Sequence, residues 1–363
     1  MTAPAGQLLR VTDLVVSYGH GRKRLQAVDG VSFEISRGQT LGIIGESGSG
    51  KSTLALAVAG IVPVASGTVE FLVGGQPGRR RGRGSEVQMV FQDPALALNP
   101  RLPVWKSIAE PMAPGAWRLP ASLRQKAEVL LTDVGLGRHY ADSLPGQLSG
   151  GQKQRATIAR ALAADHPLVL CDEPVSALDS SLQVGVLSLL SELASQRDLS
   201  YLIISHDLTS VAVLADQVAV MYMGQFVEIG PTAEVLAWPQ HPYTRALVDA
   251  VPKIQRRTSE LDLEVTATDT VSDPRDPPSG CRFRLRCPYA TDLCATTAPA
   301  LTSEKSADDE RGSSHRTACH YWPEIAQRTR SPRPGPPAGP VPAETTRLTT
   351  LGDNRSPQPR GDA

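Results

Sequence analysis

No part of the sequence is apolar over the about eighteen residues that a helix needs to cross a bilayer. The longest candidate, Leu54 to Ala65, is interrupted by Gly60 and Pro63, so the chain is not expected to span a membrane. A secretory start is also missing. Met1 to Leu9 carries no basic residue before Arg10 and leads into no apolar core or cleavage-like end, which points to the cytoplasm. Net charge is absent too: Lys plus Arg and Asp plus Glu both total 37. No overall field therefore argues for a nucleic-acid partner, and any binding must be local. There is no internal repeat, and cysteine is scarce, with five in 363 residues. Cys171 lies in an apolar run, whereas Cys281, Cys287, Cys294 and Cys319 cluster late. In a reducing compartment that cluster suggests metal ligation before disulfides.

What is present suffices for one large domain and an appendage, since 40% of the 363 residues are apolar. From Leu8 to about Ala250, short β-branched runs alternate with helical stretches, the pattern of an α/β domain around a largely parallel sheet. Val31–Ile35, Thr40–Ile44, Val87–Phe91, Leu168–Asp172 and Leu202–Ser205 read as strands, and the middle ones are too apolar on both faces to be anything but buried. The segment Gly74 to Ser85 reads as a basic surface loop, and Pro111 to Pro120 as a second break before a helix over Leu123–Val134. The expected division is a main domain over 1–250, a linker over 251–280, a cysteine-bearing segment over 281–325 and a disordered tail over 326–363.

The strand Thr40–Ile44 is followed by Gly45, Glu46, Ser47, Gly48, Ser49, Gly50, Lys51 and Ser52, then by an apolar helix over Thr53–Gly60. This is the phosphate-binding pattern G-x-x-x-x-G-K-[ST] in the strand–loop–helix context that it requires. Glycines let consecutive backbone N–H groups converge on phosphate oxygens at the helix start. Lys51 is placed to reach the β and γ phosphates, and Ser52 to offer an oxygen to Mg²⁺.

Leu168 to Cys171 is an apolar strand that ends in Asp172 and Glu173. Alone, such an ending is equally a turn with solvated acids. Beside a phosphate loop, it puts two carboxylates at the edge of the sheet where the phosphates lie. Asp172 then holds Mg²⁺ and Glu173 polarises the attacking water, as in-line phosphoryl transfer requires.

Leu148, Ser149, Gly150, Gly151 and Gln152 open a further helix about twenty residues before that acidic strand. Ser149 and the amides of the two glycines make a second anion site at a helix start. LSGGQ in this order, after the phosphate loop and before the Asp-Glu strand, resembles the signature of ABC-type ATPases. The resemblance covers Leu8 to about Leu247. It implies an α/β fold with a RecA-like core, an antiparallel β subdomain and a helical signature subdomain. It further implies that the second site serves an ATP bound by an opposing subunit. Tyr18 matches the aromatic that stacks on adenine, and Gln92 matches the glutamine that reaches Mg²⁺ and the attacking water. Asp179 matches the loop between subunits, and His206 the switch histidine at the γ-phosphate.

The stretches Val87 to Pro94, Leu98 to Pro100 and His241 to Leu247 look like the oligopeptide, dipeptide and nickel importer branch. That branch implies peptide uptake, with nickel or metal chelates as the alternative cargo. The implied partners are a second ATPase subunit in a heterodimer, two transmembrane permeases and an extracytoplasmic substrate-binding protein, with the chain peripheral on the cytoplasmic face of the membrane. A soluble ABC-type ATPase working on DNA or ribosomes is the competing reading. The coiled-coil insertions, zinc insertions or second ATPase domain of those proteins do not occur here. In the same branch, four late cysteines can hold a 4Fe-4S cluster. Cys281, Cys287, Cys294 and Cys319 are the matching residues, making the extension a small metal-bound unit. Structural Zn²⁺ is the alternative, although a tight C-x₂₋₄-C knuckle is missing.

Overall fold

The computed structural model describes residues 6–19, 21, 24–73, 76–77, 87–116, 118–251, 273, 275–303 and 314–328. Most of the basic loop, most of the linker, and the tail from residue 329 onward lie outside the described residues. Two long strands, β1 (Gln7–Tyr18) and β2 (Leu25–Ser36), pair antiparallel. In β1, Leu9 and Val11 point inward, then Leu14 and Val16. The three-residue step between Val11 and Leu14 coincides with a register shift and with Asp13 at φ 44°. A bulge therefore keeps both apolar pairs on one face of a sheet whose side-chain period is two.

Strand β3 (Thr40–Ile44) is buried at every position and runs through the glycine-rich loop into α1 (Lys51–Val58). Strands β4 (Ser66–Val73) and β5 (Gln76–Pro77) complete a first sheet in the order β2-β1-β4-β5. The chain then lays down β6 (Gln88–Val90), α2 (Pro94–Ala97), α3 (Val104–Ala109), α4 (Ser122–Asp133) and α5 (Gly150–Leu162). It continues through β7 (Leu168–Asp172), α6 (Ser180–Arg197), β8 (Ser200–Ser205), α7 (Leu208–Leu214), β9 (Gln217–Tyr222) and β10 (Gln225–Pro231). Helices α8 (Thr232–Ala237), α9 (Pro242–Ala250), α10 (Asp292–Thr296) and α11 (Trp322–Arg328) follow, with β11 (Arg316–Thr317) between the last two.

The second sheet has the order β11-β10-β9-β3-β8-β7-β6, parallel from β9 to β6 and antiparallel at β10 and β11. Its central strands divide their side chains between two cores. Leu168, Leu170, Leu202 and Ile204 pack toward α1 and the first sheet, whereas Val169, Cys171, Tyr201 and Ile203 pack toward α3 to α6. Burying a large aliphatic side chain contributes about 1.5–3 kcal/mol, so strands buried on both faces anchor the domain. Burial pushes the Cys171 thiol up to about 12; it is a small apolar filler in the second core.

Strand β11 belongs to the cysteine-bearing segment, yet it adds to the edge of this sheet by pairing Thr317 with Glu228 and Arg316 with Ile229. Beneath it, the fully buried Glu228 accepts from the backbone N–H groups of Gln240 and His241, both at 2.8 Å, and meets His315 Nε2 at 2.7 Å. These partners compensate a buried carboxylate. His241 caps α9, its Nδ1 accepting from Tyr243 N–H at 3.1 Å. Burial lowers its pKa to about 3, leaving a neutral ring able to accept.

Candidate functional site

The glycine-rich loop between β3 and α1 closes against two neighbouring strands. Gly50 precedes α1 at φ 105°, and a Cβ there would lie 2.1 Å from Ala27 O in β2. A Cβ on Gly45 would lie 2.2 Å from Met221 O in β9. Only glycine admits both this backbone and these contacts. Ser47 and Gly48 are exposed at the loop's crest, Ser49 is buried below them, and Thr53 follows in the first turn of α1.

The buried Lys51 turns back on the loop, donating to Gly45 O and Glu46 O, each at 2.8 Å. Burial lowers its pKa, and the nearby charges of Glu173, Asp172 and Glu46 work in the other direction. Ser52 Oγ donates to Asp172 Oδ1 at 3.1 Å. Asp172 ends β7, and burial raises its pKa above 3.8, with Glu173 adding to the rise and Ser52 and Lys51 opposing it. The sign follows directly. An acid whose folded pKa is raised is penalised when ionised, so its cost is absent below the unfolded value and appears as pH climbs through the raised one. Asp172→Asn is therefore expected to raise the melting temperature of the nucleotide-free chain at pH 7, with the gain vanishing below pH 3.8. Thermal melts across pH measure this.

The next residue, Glu173, has φ 49°, an uncommon region for a side chain of its size. Its N–H donates to Ile204 O at 2.8 Å. Gln92 Nε2 donates to Glu173 Oε2 at 2.9 Å, and His206 Nδ1 lies 3.0 Å from Glu173 Oε1. Gln92 follows β6 and His206 follows β8, so three adjacent strand ends bring one carboxylate, one amide and one imidazole together. Strain at a residue held from both sides is a mark of functional sites.

The other residues singled out in the sequence sit apart from this cluster. Tyr18 ends β1 with 40% of its surface exposed. Leu148 is buried, while Ser149 and Gly150 face solvent at the start of α5. Ser149 Oγ accepts from Gln152 N–H at 3.3 Å, and Gln152 Oε1 accepts from Ser149 N–H at 2.9 Å, a reciprocal capping box. Gly151 packs on Leu182, where a Cβ would come within 3.2 Å of Cδ1. Among the described residues no hydrogen bond or ion pair joins Leu148–Gln152 to the glycine-rich loop. Asp179 caps α6, accepting from Leu182 N–H at 3.0 Å and Ser181 Oγ at 2.8 Å, and these bonds lower its pKa.

Three contacts to this site had no assigned role in the sequence. Tyr243 OH accepts the N–H of Glu46 at 2.8 Å, and His241 to Leu247 was the signal available for it. Gln154 Nε2, buried in α5, donates to Pro174 O at 2.7 Å just after the acidic pair. Arg286 grips Glu46, and nothing in the local sequence marks it.

The expected metal centre is not assembled among the described residues. Cys281, Cys287, Cys294 and Cys319 are all free thiols, but among the described residues no three or more His, Cys, Asp or Glu side chains are arranged to hold a metal ion. Burial pushes Cys281 up, Cys287 to about 12 and Cys319 to about 11. Charges on neighbouring thiols of the four add to the rise at all three. The extension is held instead by strand pairing, ion pairs and the packing of Phe283, Cys281 and Cys287 against the core beneath α8 and α9.

Comparison with known proteins agrees with this geometry. Residues 28–176 match the family described as ABC transporter, and residues 227–294 match the oligopeptide/dipeptide transporter C-terminal region. The oligopeptide transport ATP-binding protein OppF of Escherichia coli is 44% identical over 289 residues, covering 77% of this chain and 85% of that protein. The oligopeptide transport ATP-binding protein AppF of Bacillus subtilis is 39% identical over 305 residues, covering 82% and 90%. Among solved structures, cbiO1 of Clostridium perfringens, part of the ABC transporter complex cbiONQ, has a TM-score of 0.56 at 29% identity, covering 64% of this chain and 91% of that one.

Proposed function

Since the chain belongs to the ATP-binding proteins of ABC transporters, in their oligopeptide/dipeptide importer family, we propose that its ATP hydrolysis powers uptake of oligopeptides or dipeptides. It works from the cytoplasmic face of the membrane, with permease subunits and a second ATPase as partners and an extracytoplasmic binding protein delivering the peptide. Among the described residues no helix is long and apolar enough to cross a bilayer, in keeping with a peripheral subunit.

In this reading the adenine stacks on Tyr18, and the amides from Gly45 to Thr53 surround the phosphates. Lys51 exchanges the carbonyls of Gly45 and Glu46 for phosphate oxygens. Ser52 and Asp172 suit Mg²⁺: they are hard oxygen donors 3.1 Å apart, and the buried acid lacks a full counter-charge. A bound Mg²⁺ would offset the negative charge of the phosphates. Glu173 takes a proton from the attacking water, Gln92 orients that water, and His206 meets the γ-phosphate. The observation that carries this reading is Glu173, one oxygen bonded to Gln92 and the other facing His206.

The signature, Leu148 to Gln152, with Ser149 and Gly150 exposed, serves the opposing subunit's ATP, and Asp179 relays between subunits. ATP then bridges two chains and favours their closed pair, because only that state offers it both surfaces. Cys281, Cys287, Cys294 and Cys319, all free thiols and with the charges of the other three felt at Cys287, are the residues that would hold a 4Fe-4S cluster.

One preparation tests these readings. The co-purified complex in proteoliposomes is expected to show ATP hydrolysis stimulated by peptide and not by nickel chelates. Stimulation by chelates alone would assign the cargo to the nickel side of the branch. Iron and sulfide near four per complex would establish the cluster, and their absence together with zinc would leave the cysteines as packing.

A further inference from the structure

The extension reaches the phosphate loop through two arginines one helical turn's length apart in sequence. Arg286 makes a two-pronged contact with Glu46, Nη1 to Oε2 and Nη2 to Oε1, both at 2.9 Å. Its guanidinium lies 5.9 Å from the Tyr222 ring centroid and 5.7 Å from that of Phe283. The paired bonds and the two aromatic rings fix the fork in place. Arg282 bonds to Asp29 in β2 and to Met223 O in the β9–β10 turn. In that turn Gly224 N–H donates to Ser49 O at 2.8 Å. Both Glu46 and Ser49 are thus held, directly or through one neighbour, by residues of the extension.

The backbone of Glu46 is engaged by the same cluster. Its N–H donates to Tyr243 OH, and the Tyr243 ring lies 5.4 Å from Phe283 and 4.7 Å from Tyr222. Its carbonyl accepts from Lys51 Nζ. Glu46 is also an acid within a loop whose task is to receive a triphosphate. Unpaired, its carboxylate would repel that ligand; gripped by Arg286, it is both turned aside and neutralised.

We propose that Arg286 is a positioning residue of the nucleotide site: by holding and neutralising Glu46 it keeps the phosphate loop receptive to MgATP, so that the C-terminal extension is a working part of that site. This rests on the reading of Gly45 to Thr53 as the ATP site. Because the pair is half exposed, with 29% and 44% of the two side chains accessible, solvent screens it and the effect is moderate.

MgATP affinity of the full-length chain provides the test. Arg286→Ala is expected to weaken binding about five- to tenfold and to raise KM for ATP in the assembled transporter by a similar factor, with kcat at saturating ATP unchanged within about twofold. Arg286→Lys, with charge but no fork, should recover part of the loss. The decisive arm is the Glu46→Gln background, where Arg286→Ala should cost less than about twofold because the carboxylate it serves is gone. Arg284→Ala, whose Nε bonds Ser279 O within the extension, should bind as the native chain does. Native affinity in Arg286→Ala, or an undiminished loss on the Glu46→Gln background, would overturn the proposal; the latter would indicate general loosening of the extension. Failure of the native chain to bind MgATP would instead overturn the reading of the loop itself.

Discussion

Glu173→Gln is expected to bind MgATP with native affinity while lowering phosphate release by about 10²- to 10⁴-fold, the range for loss of a general base. The substitution isolates one property of the side chain. Gln has the size of Glu, so the left-handed backbone at φ 49° and the N–H bond to Ile204 O are retained. Both side-chain contacts can persist as well. The amide oxygen still accepts from Gln92 Nε2, and the amide N–H₂ can donate to His206 Nδ1 in the tautomer that leaves that nitrogen unprotonated. What disappears is the capacity to take a proton from water. A pair of subunits that closes on ATP then has no way to open by hydrolysis, and an ATP-stabilised dimer should accumulate. Size-exclusion chromatography with MgATP, together with steady-state phosphate release, reads both effects. Turnover within about fivefold of native would remove Glu173 from the role of base.

The parts of this site legible in the sequence were those with a local pattern. Thr40–Ile44 and Leu168–Asp172 form strands with the bounds the sequence suggested, because each is apolar on both faces and ends where glycine or acid begins. The strand expected over Val87–Phe91 narrows to Gln88–Val90, its ends released to reach the next elements. The LSGGQ run announces a helix start, and α5 begins there with Ser149 as its cap. Long-range contacts left no such trace. Arg286 and Glu46 stand 240 residues apart, and neither periodicity nor spacing ties them together. The two residues of β11 are too few to show alternation, and their place in the main sheet depends on the partner strand β10. The four cysteines are a related case. Their spacing suits a cluster, but spacing says nothing of how burial and strand pairing dispose the side chains.

In the proposed reading, the phosphate loop and the Glu173 cluster form one side of a reaction whose other side comes from an opposing subunit. This chain's glycine-rich loop and its signature share no hydrogen bond among the described residues, and Ser149 and Gly150 stand exposed with their helix start facing solvent. A helix start whose residues face solvent fits the proposed arrangement in which each subunit completes the other's site. The extension, in contrast, acts within the chain, since Arg286 reaches the loop of the same subunit. The two surfaces should therefore fail differently. Damage at Arg286 weakens the chain's own nucleotide, whereas damage at the signature weakens the partner's.

Ser149→Asp exploits that difference. Aspartate caps a helix as well as serine does, and its charge is favourable at the positive end of α5. The bond to Gln152 N–H and the reciprocal bond from Ser149 N–H to Gln152 Oε1 can both survive. The variant should consequently melt at or slightly above the native temperature and bind MgATP at its own loop within about twofold of native affinity. The same charge facing the γ-phosphate of an opposing subunit's ATP is repulsive, by about 1 kcal/mol per pair of unit charges at 4 Å in water and about 4 kcal/mol at the effective dielectric of a protein surface. In the proposed closed dimer the triphosphate would bring several such charges to this helix start. Hydrolysis by the assembled transporter is therefore expected to fall by about 10²-fold or more, with no ATP-dependent dimer on size exclusion even when Glu173→Gln is added. Ser149→Asn, an equally good cap without charge, should retain at least about a tenth of the native rate. Native-like hydrolysis by Ser149→Asp would mean that no phosphate approaches this helix start, and the two-subunit site would have to be abandoned.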